Sequence, residues 1–182
     1  MNNRIRRINL YGGPCSSKST NSAWLFSELK QLGKNVELVQ EYCKFYSYVN
    51  RQIKPFDQIH FLGKQIDREY RLLLNGVSLI ITDCPVMLGA FYTQYYFQAF
   101  NIHNPIIDIA LKFDDEFSPL NIFLDRKDKP YKELGRKEDY ATAQEIDKFM
   151  KQKLDNIYGL ESYHIIDYND RQKLLKLVLE NI

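Results

Sequence analysis

Long apolar runs and paired cysteines are both lacking in this chain of 182 residues. No stretch approaches the ~20 apolar residues of a membrane-spanning helix, so we expect no membrane partner. Cys15, Cys43 and Cys84 are an odd number at wide spacing, which predicts neither a disulfide framework nor a zinc knuckle. The apolar run behind the basic N-terminus ends at Gly12, too early for a secretory signal. Unpaired thiols without a signal favour the reducing cytoplasm.

An excess of one charge is lacking too. Lys and Arg number 25 against 23 Asp and Glu, and a net charge of +2 does not demand a polyanionic partner. The length favours a single domain over residues 1–182 and leaves the oligomeric state open, a homodimer included. The one excess is aromatic, with 13 Tyr, 11 Phe and 1 Trp. These rings form either a core or a stacking surface.

Alternating strand and helix patterns predict an α/β fold, a three-layer arrangement of about five parallel strands with helices on both faces. Apolar runs predict strands over 5–10, 36–39, 77–81, 120–124 and 163–166. Helical periodicity covers 19–32, 56–74, 86–100, 105–117 and 170–180. Because right-handed crossovers bring the carboxyl ends of parallel strands to one edge, we expect a ligand to bind along that edge.

A phosphate-binding motif lies between the first strand and the first helix. The residues are Gly12, Gly13, Pro14, Cys15, Ser16, Ser17, Lys18, Ser19 and Thr20. They match the pattern of Gly, four residues, Gly, Lys and Ser or Thr at every position except Ser17, which replaces the second glycine. A loop that opens a helix turns successive backbone N–H groups toward one point, where the helix dipole also favours an anion.

The residue types of this loop predict how it would hold ATP. Lys18 is expected to reach the β- and γ-phosphates, and the hydroxyl of Ser19 to bind Mg²⁺. Ser17 must tolerate backbone angles that favour glycine. The alternative is an ordinary turn followed by a surface lysine, which the strand before and the helix after the motif disfavour.

Two acids follow predicted strands at the same edge. Asp83 ends the run over 77–81 and is expected to hold Mg²⁺ or to orient the acceptor hydroxyl, or it simply caps the next helix. Glu41 follows the strand over 36–39 and is placed to take the proton of an attacking hydroxyl, or it is a solvated acid.

Aromatic and polar residues near these acids are candidates for an acceptor pocket. Tyr42, with the neighbouring rings Phe45, Tyr46 and Tyr48, forms one wall of such a pocket or covers the sheet edge. Gln65 reads a base edge and Arg68 binds a phosphate or a carboxylate, or both form a polar flank in solvent. The aromatic residues between positions 91 and 97 form either a wall of this pocket or a face that packs against the core.

A basic segment follows the strand over 120–124. Residues 125–139 carry six Lys or Arg and five Asp or Glu, and the segment has no apolar face. It is a solvated loop, or a lid (about 125–140) whose cations close over the phosphates. Arg126 and Arg136 are the predicted lid residues because a guanidinium binds phosphate oxygens in a bidentate way.

Together these residues resemble phage P-loop kinases of the nucleoside- and nucleotide-kinase group, whose fold is thymidylate-kinase-like. The resemblance is carried by the segments 8–14, 18–20, 36–42, 64–65 with Arg68, 80–85, 129–131 and 135–136. It implies that residues 12–20 bind ATP and Mg²⁺, that Glu41 and Asp83 flank the acceptor, and that Arg126 and Arg136 belong to the lid. The chain departs from many nucleoside kinases in having no Arg directly after Asp83.

The group resembled includes enzymes that phosphorylate 5-hydroxymethyluracil within phage DNA, and kinases of free nucleosides, nucleotides and nicotinamide riboside. The resemblance therefore implies ATP-dependent transfer of the γ-phosphate to a hydroxyl of a nucleoside-like acceptor, with 5-hydroxymethyluracil in DNA as the first candidate. A phage-encoded enzyme of this kind would act in the host cytoplasm. The alternatives are a kinase of a free nucleoside or nucleoside monophosphate and, from another class, an ATPase or nucleotide-dependent switch.

Overall fold

Strand β1 (Arg7–Tyr11) lies at the centre of a five-stranded parallel sheet. The computed structural model describes residues 4–49, 51–131 and 138–182. The other strands are β2 (Val36–Val39), β3 (Leu79–Thr82), β4 (Pro119–Asp125) and β5 (His164–Asp167), and the order across the sheet is β2-β3-β1-β4-β5. All carboxyl ends therefore meet at one edge, and the predicted α/β fold with a parallel sheet is confirmed.

Helices cover both faces of this sheet. They are α1 (Lys18–Gln31), α2 (Lys44–Tyr48), α3 (Asp57–Leu74), α4 (Val86–Phe97), α5 (His103–Glu116), α6 (Tyr140–Tyr158) and α7 (Arg171–Asn181), with a 3₁₀ turn at Gln98–Phe100. In the described ranges, none of the helices has the length and apolar character needed to cross a membrane.

Side chains alternate along β1 and so contribute to two separate cores. Ile8 and Leu10 pack in one apolar cluster with residues of α1 and α7, such as Leu25 and Leu174. Tyr11 packs on the other face, in a cluster that α3, α4, α5 and α6 complete. Burial on both faces explains why the central strands read as continuous apolar runs in the sequence.

The structure differs from the sequence-based expectation in several elements. Helices α2 and α6 were not predicted, although Ala143, Ile146, Met150 and Leu154 are buried at helical spacing along α6. Helix α5 begins at His103 rather than at residue 105, since a proline is tolerated in the first turn of a helix. The helical period over 56–74 places Tyr70 in line with the core residues of α3, but its side chain is exposed and meets the ring of Phe117 edge-on.

A buried ionic cluster takes the place of apolar residues below the sheet. Arg7, on β1, has no exposed surface and donates from Nε to Glu69 Oε2 at 2.9 Å. It also pairs with Asp114, which accepts a second hydrogen bond from the hydroxyl of Tyr158 at 2.6 Å. Through these contacts one arginine joins β1 to α3, α5 and α6. Its guanidinium also lies 4.5 Å from the centre of the Phe113 ring.

This cluster continues toward the carboxyl edge of the sheet. Glu69 accepts from Gln65 Nε2 at 2.7 Å, and the same nitrogen is 3.1 Å from Thr82 Oγ1. Thr82 in turn accepts from the backbone N–H of Cys84 at 3.1 Å. A continuous set of hydrogen bonds therefore leads from Arg7 to the backbone that follows β3.

Replacing Arg7 with Met should destabilise the fold strongly. The substitution leaves Glu69 and Asp114 as buried carboxylates without a cation, which typically costs about 3–5 kcal/mol. The free energy of unfolding measured in urea tests this. Arg71→Met is the matched control, since Arg71 pairs with Asp67 on the exposed surface of α3 and its loss should leave that free energy nearly unchanged. A similar small effect for both variants would show that the buried cluster does not hold the fold together.

Candidate functional site

The predicted site residues gather where the strands end. The phosphate loop, residues 12–17, follows β1, Glu41 follows β2 and Asp83 follows β3. Arg126 comes directly after β4. Because β1 is central, the loop lies between the ends of β3 and β4 and can be contacted from both sides.

The phosphate loop adopts backbone angles that few residues accept. Gly12 has φ of 142°, and a Cβ on it would lie 2.5 Å from Ser16 Oγ, so the position requires glycine. Cys15 and Ser17 have φ of 65° and 69°. Ser17 therefore does take up the left-handed conformation that glycine normally provides, at a cost of about 1–2 kcal/mol.

Helix α1 begins directly behind this strained turn. Ser17 is its N-cap, but the Ser17 side chain makes no capping hydrogen bond. The first N–H groups of a helix have no partner within the helix, and together with the dipole they attract an anion. The geometry of the loop fits the phosphate groups of a nucleotide.

A carboxylate from α6 fixes the start of the loop. The N–H of Gly13 donates to Asp147 Oδ1 at 2.6 Å, and the other oxygen of Asp147 pairs with Arg126. Arg126 also donates to the carbonyl of Ala143 at 3.3 Å. A Cβ on Gly13 would lie 2.7 Å from Asp147 Oδ1, so glycine is needed for this close approach.

Lys18 lies in the middle of the site. Its Nζ donates to the carbonyl oxygens of Gly12 at 2.5 Å and Gly13 at 3.0 Å. Burial lowers the pKa of Lys18, and the negative charges of Glu41, Asp83 and Asp147 oppose that shift. The ammonium is therefore surrounded by the acids that follow β2 and β3.

The two predicted acids are joined through the backbone. Asp83 Oδ1 accepts from the N–H of Glu41 at 2.8 Å, and Asp83 itself is buried. Glu41 Oε1 accepts from the thiol of Cys43 at 2.8 Å. The pKa of the Cys84 thiol is raised well above its ordinary value. The larger cause is a hydrogen bond with Cys43, and the second is burial. Asp83 thus positions Glu41, whose carboxylate is held in place by a thiol.

A cavity of about 780 Å³ extends from the phosphate loop to these residues. Glu41 lines it, whereas Asp83 is not among the described residues of its wall. Many of the other lining residues are aromatic: Tyr42, Tyr48, Phe61, Tyr92, Tyr96 and Phe97. Such a size and lining are typical of sites for small organic ligands.

The aromatic run on α4 divides between the cavity and the core. Phe91 is buried and its ring centre is 6.1 Å from that of Tyr11. Tyr92 and Tyr96 line the cavity and stack with an interplanar angle of 4°. Both interpretations left open by the sequence therefore apply, each to different residues of one helix.

Gln65 and Arg68 occupy different environments. Gln65 is buried and lines the cavity, but its amide nitrogen is already used by Glu69 and Thr82. Arg68 is exposed, donates to the carbonyl of Gln40 at 3.3 Å and lies 4.9 Å from the ring centre of Tyr42. Direct roles of Gln65 and Arg68 in binding the acceptor stay predictions, and Arg68 packs against the ring of Tyr42.

The predicted lid residues are placed unequally. Arg126 is only 4% exposed and is held by Asp147, so its side chain is not a solvated cation above the loop. Arg136 lies outside the described residues. Asp147 and Lys129, which both contact the loop, were not among the predicted site residues. The helical spacing of apolar residues along α6 was the signal that could have located Asp147.

The donor groups of the site fit Mg²⁺ bound together with phosphates. Ser19 follows Lys18 in the first turn of α1 and lines the cavity. Nowhere in the part of the chain that the structure describes do three His, Cys, Asp or Glu side chains cluster to hold a metal ion on their own. Mg²⁺ at a nucleotide needs only one or two protein oxygens, since phosphate and water supply the rest.

Because Ser17 has a positive φ, the stability difference between glycine and alanine variants should have opposite signs at Ser17 and at Ser27. Ser17→Gly and Ser17→Ala both remove the hydroxyl, but only glycine relieves the positive φ, so Ser17→Gly should be more stable by about 1 kcal/mol. Ser27 is exposed on α1, and there Ala should be the more stable by roughly 0.5–1 kcal/mol. Urea unfolding of the four variants measures both differences. The same sign at both positions would contradict the conformation of Ser17.

Solved structures share this fold at low sequence identity. The NadR protein in complex with NR superposes with a TM-score of 0.76 and 16% sequence identity over 97% of this chain. The NadR protein in complex with NAD and AMP-PNP superposes with a TM-score of 0.73 and 15% sequence identity, also over 97% of this chain. The chain spans about half the length of NadR, 50% and 49%. Deoxyadenosine kinase from M. mycoides, with dCMP and a flexible dCDP bound, superposes with a TM-score of 0.60 and 16% sequence identity. This match covers 96% of this chain and 97% of the kinase.

The sequence itself is matched by one family profile. A search of curated proteins finds no significant match. Residues 7–171 match the AAA_28 family, described as an AAA domain, and this range runs from β1 through the phosphate loop to the start of α7. Because this match covers most of the chain, the chain belongs to the AAA_28 family of AAA domains.

Proposed function

We propose that this protein is an ATP-dependent kinase that transfers the γ-phosphate to a hydroxyl group of a nucleoside-like acceptor. The observation that carries the proposal is one cavity that joins the phosphate loop with Lys18 to the carboxylate of Glu41. An ATPase needs no second compartment, whereas a kinase needs space for an acceptor beside the phosphates.

The two ends of the cavity suggest how the residues divide the task. Backbone N–H groups of the loop and Lys18 would bind the triphosphate. Ser19 lines the cavity and would hold Mg²⁺ directly, whereas the buried Asp83 would do so through a water molecule. When bound, Mg²⁺ neutralises charge on the β- and γ-phosphates. Tyr42 and Tyr92 both line the cavity, and their rings offer surfaces on which a base can stack.

Glu41 is the proposed base for the acceptor. The acceptor hydroxyl oxygen forms a bond to the γ-phosphorus while the bond from that phosphorus to the β–γ bridging oxygen breaks, and the electron pair leaves with ADP. The proton of the hydroxyl passes to Glu41. Asp83 and Cys43 orient the backbone and the carboxylate of Glu41 for this step. Lys18 stabilises charge that spreads over the phosphate oxygens.

The first candidate acceptor is 5-hydroxymethyluracil within DNA, as the family resemblance implies. A flipped base would enter the cavity past Lys44 and Tyr48, which line it, while the exposed ring of Phe45 lies beside Tyr48 on the same short helix. A local set of rings and cations of this kind suffices for a protein of nearly neutral charge.

A free nucleoside or nucleoside monophosphate is the second candidate. The cavity volume of about 780 Å³ supports it, because that volume accommodates a whole small ligand within the protein. The structural likeness to NadR bound to NR and to deoxyadenosine kinase points the same way. An ATPase or switch, the candidate from another class, would hydrolyse ATP without any acceptor.

Incubation with γ-labelled ATP should label a nucleoside-like acceptor and leave no label without one. The panel contains hydroxymethyluracil DNA, ordinary DNA, free nucleosides and nucleoside monophosphates, and the site of the label identifies the acceptor. Lys18→Ala should lower the labelling roughly 100-fold or more because it removes the cation at the phosphates. Hydrolysis that is independent of every acceptor and labels none would overturn the kinase proposal.

Replacing Glu41 with Gln should reduce turnover and leave ATP affinity nearly unchanged. A general base contributes typically 10²–10⁴-fold, so kcat should fall by roughly that factor. Glu37→Gln is the control, since Glu37 pairs with Lys30 on the surface of β2 and should have wild-type kinetics. A Glu41→Gln variant with unchanged kcat and weakened ATP binding would assign Glu41 to the nucleotide instead.

A further inference from the structure

Lys129 brings a second ammonium group to the phosphate loop. Its Nζ donates to the carbonyl oxygen of Cys15 at 2.8 Å and to the hydroxyl of Ser17. Lys129 is half-buried and lines the same cavity as Lys18. The loop is therefore contacted by a lysine from α1 and by a lysine from the segment after β4.

The turn after β4 determines the position of Lys129. Its backbone N–H donates to the carbonyl of Arg126 at 2.9 Å, which closes the turn. Arg126 is fixed by Asp147, and Lys127, with φ of 42°, pairs with Asp167 at 2.8 Å. Ion pairs on both sides thus anchor the base of the turn, while Lys129 extends over the loop.

The described basic residues differ in their access to the cavity. Lys18, Lys44 and Lys129 line it, and Lys44 belongs to the acceptor side. Arg126, the arginine expected to reach the phosphates, is nine-tenths buried with Asp147 and does not belong to the described part of the cavity wall. Of the described lid segment, residues 125–131 and 138–140, the basic residue that faces the phosphate end is Lys129.

We propose that Lys129 is a catalytic residue of this kinase, the lid cation that binds the β- and γ-phosphate oxygens of ATP, and that Ser17 holds it at the loop. The assignment rests on the proposed function. During transfer Lys129 contributes charge and exchanges no proton, and it stabilises the ADP oxygen that receives the electron pair of the broken bond.

Ser17 gives the pairing its specificity. The motif has glycine at this position, and glycine has no side chain that could accept from a lysine. In this chain a hydroxyl stands there and accepts from Lys129. The serine at position 17 and the lysine at position 129 therefore act as a pair. The effects of substituting Ser17 and Lys129 on ATP binding should not be additive.

The test compares the affinities for ATP and AMP by calorimetry in the full chain. Lys129→Gln should weaken ATP binding roughly 10–100-fold, the usual range for losing one charge-assisted contact, and leave AMP binding unchanged. Lys129→Arg, which keeps the charge, should retain most of the preference for ATP. Lys127→Gln, two residues away and paired with Asp167 on the surface, is the matched control and should bind both nucleotides normally.

The outcomes separate this proposal from the proposed function. If the wild-type protein binds ATP but Lys129→Gln loses no affinity, or loses it equally for AMP, the role of Lys129 is overturned and the kinase proposal stands. If the wild-type protein binds no ATP, both are overturned.

A double-mutant cycle tests the part played by Ser17. Ser17→Ala should weaken ATP binding in the wild-type background and have a smaller effect in the Lys129→Gln background. Equal effects in the two backgrounds would show that Ser17 does not act through Lys129. Thermal unfolding of each variant verifies that it is folded at the temperature of the titration.

Discussion

The hydrogen bond from the Gly13 N–H to Asp147 is the contact on which the site depends. The loop between β1 and α1 must hold residues such as Gly12 and Ser17 at positive φ, and this conformation is costly for any residue but glycine. Asp147 fixes the start of the loop from α6, and Lys129 contacts its end from the turn after β4. Contacts from distant parts of the chain therefore stabilise a strained turn, as expected where strain serves a binding site.

The same edge of the sheet is connected to the interior through Gln65. Its amide nitrogen bridges Glu69, which pairs with Arg7, and Thr82, which accepts from the N–H of Cys84. The backbone that carries Asp83 is therefore oriented by a buried charge cluster below the sheet. A polar core of this kind is costly to break, because each carboxylate depends on one arginine. It gives the acids of the site a rigid base.

Much of the fold could be predicted from sequence because each strand carries a local apolar signal. The strand at 120–124 and the loop at residues 12–20 are both found close to their expected bounds. Helix α6 was not predicted, because it follows the charged segment 125–139 and its apolar residues at helical spacing are separated by many polar ones. Tyr70 matched the helical period but lies at the edge of the buried face of α3, where Gln65 and Glu69 are buried instead.

The roles of individual charged residues could not be predicted in this way, because they depend on contacts between distant segments. No local sequence pattern indicates that Arg126 pairs with Asp147 or that Ser17 accepts a hydrogen bond from Lys129. A crystal structure with AMP-PNP, Mg²⁺ and a nucleoside tests the central claim most directly. The account predicts the triphosphate on the N–H groups of the loop, with the γ-phosphate toward Glu41 and the nucleoside hydroxyl between them. A triphosphate directed away from the Glu41 cavity, or bound elsewhere, would contradict it.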